Sequence, residues 1–153
     1  MAKQSSPSDF DDTKAEALPD VACSRDLKHC DPRLVKRFAP LATEYEQMFP
    51  GRKLLITCTY RSCKEQNRLW RQGRLGDKGK IVTNCDGITS KSNHNKFPSR
   101  AVDICVMDGG KAVWDETFYY PIGPLSTKYG LEWGGYWTRF SDFPHIQLPD
   151  KEA

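Results

Sequence analysis

Apolar positions along the chain change period several times, and each change marks an expected element. Leu34, Val35, Phe38, Leu41, Ala42, Tyr45 and Phe49 recur at helical spacing between Asp31-Pro32, a helix-start pair, and the breaker Pro50-Gly51. Residues 53–59 (KLLITCT) form a short, β-branched apolar run that reads as a buried strand. A helix over about 63–72 follows. Residues 73–95 lack apolar periodicity and are rich in Gly, Lys, Asn and Ser, so a long loop is expected, with a short strand at 81–83. Loops of this length inside a compact domain are usually functional. Residues 100–107 (RAVDICVM) read as a strand that turns at Gly109-Gly110 into 111–114. A helix over 116–128, a glycine-rich turn at 130–135 and a final strand at 145–148 complete an α+β plan in one domain.

Length and composition agree with that plan. The 153 residues suffice for one hydrophobic core and fall short of two ordinary domains. With 38% hydrophobic and 11% aromatic residues and a mean hydropathy of -0.67, the chain suits a globular protein. No run approaches the roughly 20 apolar residues of a membrane span. The formal net charge of +3 comes from 23 basic and 20 acidic residues, which resembles an ordinary solvated surface. The basic residues are dispersed and no nucleic-acid-binding motif is present.

The first residues, through about Pro19, are polar and aperiodic, so residues 1–22 are expected to form a disordered arm before a domain at 23–150. They contain no apolar core like that of a secretory signal, which predicts synthesis in the cytoplasm. Cys23, Cys30, Cys58, Cys63, Cys85 and Cys105 could in principle form three disulfides, but thiols stay reduced in that compartment, and most of the six are expected to be small buried apolar residues. None forms a Cys-x-x-Cys pair, so a zinc ribbon is not supported.

The candidate chemistry lies in two of the three histidines. His94 ends the long polar loop, and His145 opens the last strand directly after Asp142-Phe143-Pro144. Asp103 lies within the apolar run Ala101-Val102-Asp103-Ile104, where burial of its charge needs a compensating cation. A metal ion would serve, and so would an arginine such as Arg61 or Arg100. Two histidines and a carboxylate, with a fourth position left to water, match catalytic zinc sites. Asp142 would then accept a proton from the attacking water and return it to the leaving amine. Single histidines are commonly surface or hydrogen-bonded groups, as His29 is expected to be, and no His-Glu-x-x-His helix is present.

The motifs together narrow these alternatives. Ser92-x-His94 leading to Ala101-Val102-Asp103, with Asp142-x-Pro144-His145 far downstream, resembles the zinc signature of the D-Ala-D-Ala carboxypeptidase and L-alanyl-D-glutamate endopeptidase family. Thr59-Tyr60-Arg61-Ser62, Glu65-Gln66, Leu69-Trp70, Gln72-Gly73-Arg74 and Val82-Thr83-Asn84 resemble the family's segment before the first ligand. Gly130-Leu131-Glu132-Trp133-Gly134-Gly135 resembles the one before the last. The resemblance extends from about Ser24 to Leu148. The stretch between His94 and Asp103 is longer than the compact His-x-x-Gly-x-Ala form of many relatives and is similar to the phage endolysin branch, which also has Asp rather than Glu before the final histidine.

This resemblance implies a D,D-peptidase/hedgehog-like α+β fold, a small antiparallel sheet with packed helices. It implies Zn2+ held by His94, Asp103 and His145, Asp142 as proton acceptor, and Arg61 near the substrate carbonyl. Gln66 and Ser92 are substrate-contact candidates, with a helix-face amide and a loop-capping hydroxyl as their structural alternatives; Trp133 and Trp137 are candidates for the cleft wall or the core. The expected activity is hydrolysis of peptidoglycan stem peptides by an L-alanyl-D-glutamate endopeptidase of the endolysin type. Such an enzyme is made in the host cytoplasm, released to the wall by a separate pore, and expected to be a monomer without nucleic-acid partners. The rivals are a D,D-carboxypeptidase and a non-catalytic zinc module that binds wall or partner proteins.

Overall fold

The computed structural model describes residues 18–74 and 77–151. Most of the expected arm, residues 1–17, lies outside the described residues. The first long element is α1 (Pro32–Met48), and its start is locally encoded: the Asp31 carboxylate accepts the Arg33 N–H, and Pro32 takes the first helical position, where no N–H is needed. Leu34, Phe38, Leu41 and Tyr45 form the buried stripe of α1. Pro40 interrupts the ladder of hydrogen bonds without ending the helix.

The remaining regular elements are β1 (Arg52–Cys58), α2 (Cys63–Arg71), β2 (Ala101–Asp108), β3 (Lys111–Val113), α3 (Ile122–Lys128), β4 (Glu132–Trp133) and β5 (His145–Gln147). They build a five-stranded antiparallel sheet in which β1, β2, β5 and β4 lie in that order. Strand β2 is central. One of its edges pairs with β1, and the other is shared by β5, at Ala101 to Asp103, and β3, at Val106 to Asp108. The turn from β2 to β3 needs positive φ at both Gly109 (57°) and Gly110 (83°), which glycine adopts without steric cost.

Alternation along β2 sends Val102, Ile104 and Val106 into the core against α1 and α3, where they meet Tyr119, Ile122, Leu125, Ile146 and Leu148. Asp103 and Cys105 therefore face the opposite side of the sheet. None of the described helices is long and apolar enough to cross a membrane.

Three expectations are corrected. The helix anticipated over 116–128 is divided into a 3-10 turn at Glu116–Phe118 and α3, because Pro121 supplies no N–H and disfavours helical geometry in Tyr120. Residues 81–83 form no strand; half-exposed Ile81 and Val82 line a cleft instead. The cysteines are not all free: Cys23 and Cys58 are joined as a disulfide, with Cα atoms 5.8 Å apart, while Cys30, Cys63, Cys85 and Cys105 remain thiols. The two residues are far apart in sequence, and strand pairing beside β1 brings them together: Cys23 bridges Arg61 just past its end.

The Tyr119 hydroxyl accepts the Val106 N–H (3.0 Å) and donates to the Val113 carbonyl (2.7 Å), filling the ladder between β2 and β3. Tyr119→Phe keeps the ring and strands both backbone groups. Urea unfolding of this variant is expected to show a loss of about 1–3 kcal/mol, and a loss below a few tenths would mean that water replaces the hydroxyl.

Candidate active site

Strand register brings the first candidates together. Asp103 is the direct partner of Cys58 on β1 and of His145 on β5, so the three side chains form one row across the face opposite the core. A bulge on β1 between Ile56 and Cys58 sets this row, because an unbulged pairing would place Thr57 beside Asp103.

His94 reaches the row from outside the sheet, in a 3-10 turn at Asn93–Asn95. The Ser92 hydroxyl accepts the His94 N–H and the Asn95 side chain accepts the Ser92 N–H, a reciprocal cap that fixes the turn. Asn95 Nδ2 also donates to the Arg61 carbonyl (2.9 Å), and the Arg61 N–H donates to the His94 carbonyl (2.8 Å). The loop is thereby tied to the chain just beyond β1. The Ser92 hydroxyl is engaged in this cap.

Outer hydrogen bonds determine which imidazole nitrogen faces inward. His94 Nδ1 lies 2.7 Å from the Thr59 carbonyl, which only accepts, so Nδ1 carries the proton and Nε2 presents a lone pair. His145 Nε2 lies 2.8 Å from Gln147 Oε1, whose amide nitrogen donates to Glu132. That orientation makes Gln147 Oε1 an acceptor and leaves a lone pair on His145 Nδ1. The inward atoms then converge: His94 Nε2 and His145 Nδ1 stand 3.2 and 3.3 Å from Asp103 Oδ1 and 3.2 Å from each other. Asp103 Oδ1 is buried and accepts no hydrogen bond.

Three electron-rich atoms facing one another at this distance repel unless a proton or a metal cation lies among them. Zinc ligands about 2.0–2.1 Å from the ion at tetrahedral angles stand about 3.3 Å apart, the spacing found here. The donor set therefore fits such an ion. The described residues contain two overlapping groups able to hold a metal, Cys58 with His94 and Asp103, and Asp103 with Asp142 and His145.

Charge is balanced on both sides of the aspartate. Asp103 Oδ2 pairs with Arg61 Nη2 at 3.1 Å, while the other amino group of Arg61 donates to Gln66 Oε1 at 3.0 Å. Arg100 instead donates to the Pro149 carbonyl. Burial would raise the Asp103 carboxyl, but the neighbouring His94 and His145 outweigh it and hold it well below the usual carboxylate range. Burial opposes the protonated form of His145, yet the Asp103 and Asp142 carboxylates beside it raise it overall. Asp142 Oδ2 lies 4.0 Å from His145 Nδ1, and its carboxyl is raised by burial and by the charge of Asp103.

The Asp142-to-His145 turn docks on Gly134, whose carbonyl accepts the Asp142 N–H at 3.0 Å. A Cβ on Gly134 would fall 2.5 Å from the Asp142 carbonyl oxygen and 3.0 Å from His145 Cβ, so this close approach requires glycine. The cluster opens into a cleft of about 910 Å³ whose lining includes Arg61, Val82, Lys91, Lys96, Trp137 and Arg139. Trp137 lies against the His145 ring, with centroids 4.8 Å apart. Trp133 is a core residue, its indole donating to the Phe143 carbonyl.

The structure thus brings His94, Asp103, His145, Asp142 and Arg61 into one site, while His29 lies apart, bonded to Ser24. Gln66 is buried and links Arg61 to the loop through the Cys85 carbonyl (3.1 Å). Sequence reasoning missed Thr59, Asn95, Gln147 and Glu132, the groups that orient the imidazoles and the loop. Gln147 had a signal, since the second residue after His145 on a strand returns to the same face.

Comparison with known proteins agrees with this arrangement. Residues 86–148 match the family profile described as D-alanyl-D-alanine carboxypeptidase. The chain is 33% identical over 108 residues to the peptidoglycan L-alanyl-D-glutamate endopeptidase CwlK of Bacillus subtilis, an alignment covering 64% of this chain and 62% of that protein. The chain therefore spans less than two thirds of that relative. The crystal structure of the Serratia marcescens L-Ala D-Glu endopeptidase ChiX superposes with a TM-score of 0.60 at 26% identity, covering 84% of this chain and 87% of the other.

Gln66→Leu preserves much of the side-chain volume but leaves Arg61 Nη1 and the Cys85 carbonyl without this partner. A loss of about 1–3 kcal/mol is expected, read as a melting temperature lower by several degrees. An unchanged melting temperature would show that the Gln66 bonds add nothing to the folded state.

Proposed function

We propose that this chain is a member of the D-Ala-D-Ala carboxypeptidase and L-alanyl-D-glutamate endopeptidase family, to which its matches point, and a zinc peptidase that cuts the L-alanyl-D-glutamate bond of peptidoglycan stem peptides. The observation that carries the reading is the convergence of His94 Nε2, His145 Nδ1 and Asp103 Oδ1, each 3.2–3.3 Å from the others. These three residues would hold the ion. Zinc, when bound, supplies Lewis-acid polarisation and a water acidified to near neutral pH.

The chain's own groups do the rest. Asp142, beside His145 at the cleft, accepts the proton of the attacking water and delivers it to the leaving amine. Its raised carboxyl suits that exchange, since a base that must later act as an acid cannot be a very weak one. Arg61, anchored by Asp103 and Gln66, offers a fixed positive charge where the carbonyl oxygen becomes negative. Lys91, Lys96 and Arg139 on the cleft wall complement the carboxylates of a stem peptide. Asp142 before the final histidine and the long His94-to-Asp103 stretch resemble the endolysin branch, which supports a role in phage-driven host lysis.

The second reading is a D,D-carboxypeptidase, favoured by the description of the matching family profile. Mass spectrometry of defined muropeptides after digestion separates the two. A new N-terminal glutamate is expected, and release of terminal D-alanine in its place would reverse the assignment.

Metal content and turnover, measured on the same variants, test the mechanism. Wild type should carry about one zinc per chain. His145→Ala should lose metal and activity together. Asp142→Asn should keep zinc while hydrolysis falls by roughly 10²-fold or more. If Asp142→Asn emptied the site as His145→Ala does, Asp142 would be a ligand rather than the base.

A further inference from the structure

The row across the sheet contains a residue that the peptidase reading leaves unused. Cys58 shares the register of Asp103 on the strand opposite His145, and its sulfur lies within 4.8 Å of donor atoms of His94 and Asp103. Cys58 is buried, so its sulfur competes little with solvent for partners. Its other neighbour is Cys23, to which it is bonded. A sulfur held in a disulfide has no thiolate to offer a metal.

We propose that reduction of the Cys23–Cys58 disulfide converts Cys58 into a sulfur donor to the metal site of His94, Asp103 and His145, closing the position that hydrolysis needs open; this rests on the zinc reading above. A dithiol reductant gives up two electrons and two protons and becomes a cyclic disulfide. The Cys23–Cys58 bond breaks and both residues become thiols. When Cys58 binds the ion, its proton passes to solvent. Thiolate is a favoured ligand for zinc and cobalt, and the cation offsets the cost of burying a second negative group beside Asp103.

The fold permits a local change. The Cys23 segment is held independently of its sulfur, by hydrogen bonds from Ser24 N to Tyr60 O (2.8 Å), Thr59 N to Ser24 O (2.6 Å) and Ser62 N to Ala22 O (3.0 Å). Reduction frees Cys58 without releasing that strand. Where thiols stay reduced the site is sulfur-ligated and slow, and where disulfides form it is open.

Cobalt(II) titration of the full chain, freed of metal by chelation and followed by absorption, tests the proposal. Wild type reduced with a phosphine, and Cys23→Ser without reductant, should show a thiolate-to-cobalt charge-transfer band in the near ultraviolet. Oxidised wild type should take up cobalt without that band, and Cys58→Ala should lack it in either redox state. Cys23 is exposed, so Cys23→Ser keeps the test available even if Cys58→Ala folds poorly. Cobalt d–d bands without charge transfer in both reduced wild type and Cys23→Ser would overturn the proposal and leave the three-ligand site standing. A band that persists in Cys58→Ala would also overturn it, by assigning the sulfur elsewhere. No cobalt uptake by any form would remove the three-ligand site itself.

Discussion

The placement of one carboxylate, Asp103, governs the arrangement of the site. It lies on the central strand, flanked by strands on both edges, with a hydrophobic core beneath. Burying an ionised carboxylate in such a place is costly unless each oxygen has a positive or polar partner. Arg61 meets one oxygen and two imidazoles surround the other. The three partners come from different parts of the chain, so compensation of one charge ties the long loop, the end of β1 and the last strand together.

The rigidity of the site derives from the layer behind it. The Thr59 carbonyl accepts from His94 Nδ1 and from the Ser99 hydroxyl, which holds the loop and the start of β2 at the end of β1. Gln147 and Glu132 do the corresponding work for His145 across β5 and β4. Gly134 lets the Asp142-to-His145 turn approach closely enough to join them. Strand β2 is paired on both edges, whereas the cleft wall is built largely from irregular chain.

The same geometry explains why Cys58 is more than a small core residue. The bulge on β1 that places it beside Asp103 also leaves it within reach of Cys23, so one sulfur lies between a covalent partner and a set of metal donors. Neither relation is visible along the chain, where Cys23 and Cys58 belong to segments of different character.

By itself the sequence determined the elements whose causes are local: the capped start and apolar stripe of α1, the apolar runs of β1 and β2, the Gly109-Gly110 turn, and the adjacency of Asp142 and His145. Motif resemblance added the grouping of His94, Asp103 and His145. Only the tertiary structure decided the choice of Arg61 over Arg100 as partner of Asp103, the absence of a strand at residues 81–83, the pairing of β4 with β5, and the Cys23–Cys58 bond. Helix caps, turns and apolar periodicity act between near neighbours and can be read from a short window. Register depends on contacts between distant segments, and alternation along a strand specifies the face of a side chain but not the residue opposite it.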